Sequence, residues 1–71
     1  MNKQIIQKLI LVANEAIRIE PTYIIIEVDK EYYNCYEEIT VDEDHIGFVD
    51  DDDNKVVLNY NEITSIKISN I

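Results

Sequence analysis

Pro21 divides this chain into two parts whose apolar residues follow different periods, and that change constrains the fold more than any other feature. Before it, "QIIQKLILVANEAIRI" (residues 4–19) sets Ile5, Ile6, Leu9, Ile10, Val12, Ala13, Ala16 and Ile17 at the i, i+3, i+4, i+7 spacing of an amphipathic helix. Gln7, Lys8, Asn14, Glu15 and Arg18 fall on the other side. Leu11 lies near them, either an exposed leucine or an anchor for another chain. Pro21 biases Glu20 toward extended backbone, so the helix stops there. After it the period is two.

The β-rich runs that follow predict strands over residues 22–28, 32–41, 45–49, 55–60 and 63–68, separated by hairpin-length turns. In the second run Tyr33, Cys35, Ile39 and Val41 share a face. Glu37 falls on that face too, which predicts a bulge near Glu37–Glu38 or an exposed sheet end. Further along, Ile46 and Phe48, then Val56, Leu58 and Tyr60, then Ile66 and Ile68 point inward, with a tight connection at Asn59–Glu62. The expected fold is α+β: an N-terminal amphipathic helix followed by a five-stranded antiparallel, strongly bent sheet or small barrel with one open side covered by the helix, the alternative being a twisted sheet packed on the helix without closure. Seventy-one residues make one domain, residues 1–71.

One helix, five strands and a very short turn before the last strand, carried by "VVLNYNEITSIKI" (residues 56–68), resemble the Sm-like small barrels. The resemblance implies a small barrel able to form rings. Where RNA-binding members place an Arg-Gly pair before the last strand, this chain has Asn59 and Tyr60, which argues against RNA binding.

Charge points the same way. The net charge is −9, and it is unevenly spread. Residues 1–20 carry Lys3, Lys8 and Arg18 against Glu15 and Glu20, a balance of +1, whereas the remainder carries three lysines against thirteen acids. Nucleic acid and anionic membrane are repelled by such a body, and a basic protein surface or a cation is attracted. Cys35 is the only cysteine, so no internal disulfide forms. With an apolar N-terminal stretch too interrupted by polar residues for a signal or a span, it points to a reducing cytoplasm.

The acids concentrate in "VDEDHIGFVDDDDN" (residues 41–54), which holds seven of them with the only Gly and the only His. Three readings are open. As a calcium loop, Asp42, Asp44, Gly47, Asp50 and Asp53 match positions 1, 3, 6, 9 and 12, but Ile46 at position 5 offers no side-chain oxygen and the flanks read as strands. As a phosphate mimic, Glu38, Asp42 and Asp44 share one strand face, and Asp50, Asp51, Asp52 and Asp53 extend the negative surface. As a solvated hairpin, the same acids protect sheet edges from aggregation. No metal and no cofactor is expected.

An enzyme is not expected either. His45 has no second histidine, Cys35 lies on an apolar face as a structural thiol, and Ser65 and Ser69 have no nearby base. Tyr32 and Tyr36 share the face opposite Tyr33 and Cys35, either an outward patch suited to protein binding or rings covered by another chain. Small size, acidity and missing catalytic groups resemble, by type only, phage-encoded anti-defence proteins such as anti-CRISPR inhibitors. That likeness implies a Cas effector or other defence nuclease as partner, engaged without direct nucleic acid. The residues expected to meet it are Glu38, Asp42, Asp44, Asp50, Asp51, Asp52 and Asp53, aided by Tyr32 and Tyr36. The alternatives are a homo-oligomeric barrel that sequesters a small ligand and a structural accessory subunit.

Overall fold

A computed structural model describes residues 1–70. Helix α1 (Lys3–Ile19) begins where Asn2 accepts hydrogen bonds from the Gln4 and Ile5 N–H groups through its side chain, and it ends at Glu20, whose backbone is extended ahead of Pro21. Six strands follow: β1 (Thr22–Val28), β2 (Glu31–Cys35), β3 (Thr40–Val41), β4 (His45–Val49), β5 (Lys55–Asn59) and β6 (Ser65–Asn70), with a 3-10 turn, Tyr60–Glu62, between the last two. The α+β class is as the sequence predicts. The sheet is not: the strands form two small antiparallel sheets, in the orders β2-β1-β6 and β3-β4-β5, and no closed barrel.

The departure centres on one segment. The expected strand over residues 32–41 breaks into β2 and β3, because Tyr36–Ile39 leaves the ladder. Asn14 of the helix takes over for the missing strand neighbour there. Its Nδ2 donates to the Ile39 carbonyl at 3.0 Å and its Oδ1 accepts from the Ile39 N–H at 2.8 Å. Ile39 can then drop its side chain into the core with both backbone groups satisfied, as burial demands. The run expected over residues 55–60 stops one residue short, and Tyr60 turns into the 3-10 segment while staying buried. The last strand starts at Ser65 rather than 63, and Ile63 is buried before it begins.

A single isolated bridge, Cys35 to Asp50, joins the sheets along their backbones. Side chains do the rest. Ile24, Ile26 and Cys35 from one sheet and Ile46, Phe48 and Leu58 from the other meet Ile6, Ile10 and Ala13 of the helix. Tyr33 lies edge-on to Phe48, ring centres 5.8 Å apart, across the seam between sheets. Thr22 fixes the helix-to-strand corner by donating its hydroxyl to the Glu20 and Ala16 carbonyls. Two expected core positions on the helix are not in the core: Ile5 is 52% exposed and Val12 58%. Ile68, also expected inward, is 36% exposed, because it lies on a strand paired along one edge only. No helix among the described residues is long and apolar enough to cross a membrane.

Replacing Asn14 by Ala leaves the Ile39 amide without a partner in a part-buried place. Urea titration of N14A is expected to show a loss of about 1–3 kcal/mol at unchanged slope. A loss below about 0.5 kcal/mol would mean that the segment does not depend on this contact.

Candidate functional site

The acidic surface read from the sequence does not hold together as one row. Glu38 lies outside any strand and is tied to Arg18, whose Nε donates to Oε1 at 2.6 Å and whose Nη2 donates to Oε2 at 3.3 Å. Asp42 and Asp44 occupy the β3–β4 turn, where Asp42 Oδ2 lies 3.0 Å from His45 Nε2. Asp50–Asp53 make the β4–β5 turn at the other end of β4. A five-residue strand separates the two turns by roughly 15–20 Å. The same strand disposes of the calcium loop, since an extended β4 carries Asp42 and Asp44 away from Asp50 and Asp53 instead of wrapping them round an ion.

The aspartates of the second turn build it. Asp50 Oδ1 accepts from the Asp52 N–H at 3.0 Å and the Asn54 N–H at 2.8 Å, and the Asp50 N–H donates to the Asn54 carbonyl. Asp53 stands at φ 63°, a left-handed backbone that Asp tolerates better than most residues. Carboxylate oxygens of Asp50, Asp51 and Asp52 lie within 4.8 Å of one another. Asp50 and Asp51 already accept hydrogen bonds, so the turn's own geometry accounts for their approach.

What the structure does bring together is this turn and the tyrosines. The Asp51 N–H donates to the Asn34 carbonyl at 3.0 Å, and Asn34 Nδ2 reaches back to Asp51 Oδ2 at 3.4 Å. Asn34 lies on the outer face of the first sheet. The register Ile25 to Asn34 and Glu27 to Tyr32 sets Tyr32 and Asn34 beside Tyr23, Ile25 and Glu27, all turned away from the helix. Tyr36 completes the face, its ring 5.9 Å from that of Tyr23. Tyr32 is 66% exposed and Tyr36 47%. The result is an open, shallow concavity lined by Tyr23, Ile25, Tyr32 and Tyr36, crossed by the Lys67–Glu27 ion pair at 3.2 Å and bordered by the aspartate turn.

Tyr23 and Ile25 escaped the sequence reading. The run "TYIIIEV" carries apolar residues on both parities, so alternation alone does not say which side is wet. The signal that locates them is cross-strand register, which is set by the Asp29–Lys30 turn. Among the described residues, Asp51, Asp52 and Asp53 form no ion pair, whereas Glu38 and Asp42 are engaged. Cys35 is buried, with Sγ 3.0 Å from the Glu37 carbonyl, which makes it a structural thiol. Comparison with known proteins finds no matching family model, no matching curated protein and no matching solved structure.

Two titrations check this geometry. The hydrogen bond from Arg18 holds the Glu38 carboxyl below its ordinary value. A carboxyl depressed on folding stabilises fully above its unfolded value, near pH 4.3, and loses that contribution as pH falls through the lower folded value. Carbon-13 NMR is expected to show Glu38 titrating below ordinary glutamate in the wild type and returning to it in R18A. Burial pushes the Cys35 thiol up. Iodoacetamide is expected to alkylate it slowly in the folded chain and rapidly in urea, and equal rates would contradict its burial.

Proposed function

We propose that this chain is a small acidic, non-enzymatic binding protein that inhibits a basic nucleic-acid-handling protein by occupying its surface, in the manner of anti-CRISPR and other anti-defence inhibitors. The partner class is a Cas effector or another defence nuclease. The observation that carries the reading is the link, through Asn34, of Asp51 in the aspartate turn to the exposed tyrosine face, with Asp51–Asp53 forming no ion pair among the described residues. Tyrosine rings supply contact area at low entropic cost, with hydroxyls that stay satisfied at a wet rim. The carboxylates steer the encounter and displace anions held by a basic channel. The mimicry of nucleic-acid charge rests mainly on this turn: Glu38 is neutralised by Arg18, Asp42 lies beside His45, and Asp44, which forms no ion pair among the described residues, stands at the far end of β4.

A second reading keeps one specific observation in its favour. Strands β5 and β6 are each paired along a single edge, and the orders β6-β1-β2 and β3-β4-β5 are those of a small barrel opened between its last two strands. Copies joined through these edges would form a homo-oligomeric ring able to hold a small ligand between subunits. Lys55 on β5 and Lys67 on β6 oppose such joining, because edge lysines discourage strand addition.

Capture by the tagged chain from a set of purified Cas effectors and defence nucleases decides between them. The expected result is stoichiometric binding at about 0.1 M salt that weakens steeply toward about 0.5 M, where the screening length has roughly halved. The triple change D51N/D52N/D53N is expected to weaken binding by about tenfold or more, and Y32A/Y36A to weaken it at every salt concentration. Binding that ignores both salt and these changes, or a ring with no capture, would sink the inhibitor reading.

A further inference from the structure

The helix carries two apolar stripes, and only one is used. Ile6, Ile10, Ala13 and Ile17 face the sheets. Ile5, Val12 and Ile19 are 52%, 58% and 77% exposed, and with half-buried Leu9 and Ala16 they follow a strict alternation of four and three residues along the sequence. At 100° per residue these five cover an arc of about 80°, centred about 110° from the buried stripe. Isolated exposed apolar residues are ordinary on a soluble protein. A 3.5-residue repeat sustained from residue 5 to residue 19 is the pattern by which helices pair.

We propose that this stripe joins two copies of the chain, helix against helix, antiparallel about a two-fold axis. In that register Leu9 packs against the second copy's Val12 and Ile5 against its Ala16, each contact occurring twice by symmetry. Lys8 and Glu15 flank the stripe on one side, one heptad apart. Antiparallel pairing sets Lys8 opposite the second copy's Glu15, and Glu15 opposite its Lys8. A parallel pair would instead place Glu15 against Glu20 and Lys8 against Ala13, with no attraction in either contact.

Neither charge is strongly held elsewhere. Lys8 makes no ion pair among the described residues, and Glu15 meets Arg18 at 3.3 Å in an exposed contact that contributes little. The overall field also selects this face. Two bodies of net charge −9 repel over most of their surface, whereas residues 1–20 carry a balance of +1 and can approach their own copy without that repulsion; residues 54–70 carry the same balance but lack the helical stripe. The tyrosine face lies on the side of its sheet away from the helix, so the pair would present two copies of the candidate site and engage a partner bivalently.

Sedimentation equilibrium from micromolar to about millimolar concentration tests the pairing. The expected mass rises from the 8.3 kDa of one chain toward twice that value. V12D changes an exposed side chain, so it is expected to keep the wild-type circular dichroism and to stay monomeric throughout. K8E creates two like-charge contacts and is expected to weaken association at least about fivefold, and K8E/E15K to restore it. A wild-type chain that stays monomeric at about millimolar concentration overturns the proposal, as does a V12D dimer or a K8E variant that associates normally. V12D retains the tyrosine face and the aspartate turn, so its capture of a basic partner reports on the inhibitor reading separately.

Discussion

The burial of Ile6, Ile10 and Ala13 between two three-stranded sheets is the contact on which this molecule depends. Each sheet has three short strands and one apolar face to cover, and one isolated backbone bridge connects them. The helix stripe is the shared surface that lets Ile24 and Ile26 of one sheet and Ile46 of the other leave water together. Each fully buried isoleucine contributes on the order of 1.5–3 kcal/mol against exposure, comparable to a large share of the net stability of so small a domain. Asn14 serves the same end by polar means, since its side chain lets the backbone of Ile39 be buried where strand pairing fails.

With the core committed to one side of each sheet, the other side is free for chemistry that a core does not tolerate. The outer face of the β2-β1-β6 sheet uses that freedom for Tyr23, Tyr32 and Tyr36, and the neighbouring turn uses it for unpaired aspartates. The aspartates serve two ends at once. Asp50 closes the turn through its own hydrogen bonds, and Asp53 accepts a left-handed backbone, so part of the acidic run answers to local geometry. Asp51 and Asp52 add charge beyond what the turn requires. Their closeness to the tyrosines makes a surface with both area and field, the pairing that protein recognition uses for anchoring and steering.

The helix shows how one element can satisfy two demands. Its buried stripe is narrow, which leaves a wider apolar arc than the core can cover. In a chain with a strong negative field, the near-neutral helix is a region where apolar contact with a second copy is not opposed by repulsion. The apolar pairing proposed for the helix and the charged recognition proposed for the sheet therefore fall on different faces.

The sequence by itself determined the class of the fold, the helix and its end at Pro21, the strand-forming runs, the lone structural thiol and the lopsided charge. These follow from local periodicity, the geometry of proline and simple counting, none of which requires knowing what lies across space. The sequence marked an irregularity near Glu37–Glu38, but only the tertiary structure decided that residues 32–41 form two strands, with the break held by Asn14, which lies 25 residues from Ile39. It also decided that Ile5 and Val12 face out: a 3.6-residue period gives the width of an apolar arc, and the packing partner selects which part is covered. The acids of residues 42–53 looked continuous because they are close along the chain, yet β4 carries them to opposite ends of a strand. Asn34 and Asp51 are 17 residues apart and join the tyrosine face to the aspartate turn, a relation that no reading of neighbours along the chain contains.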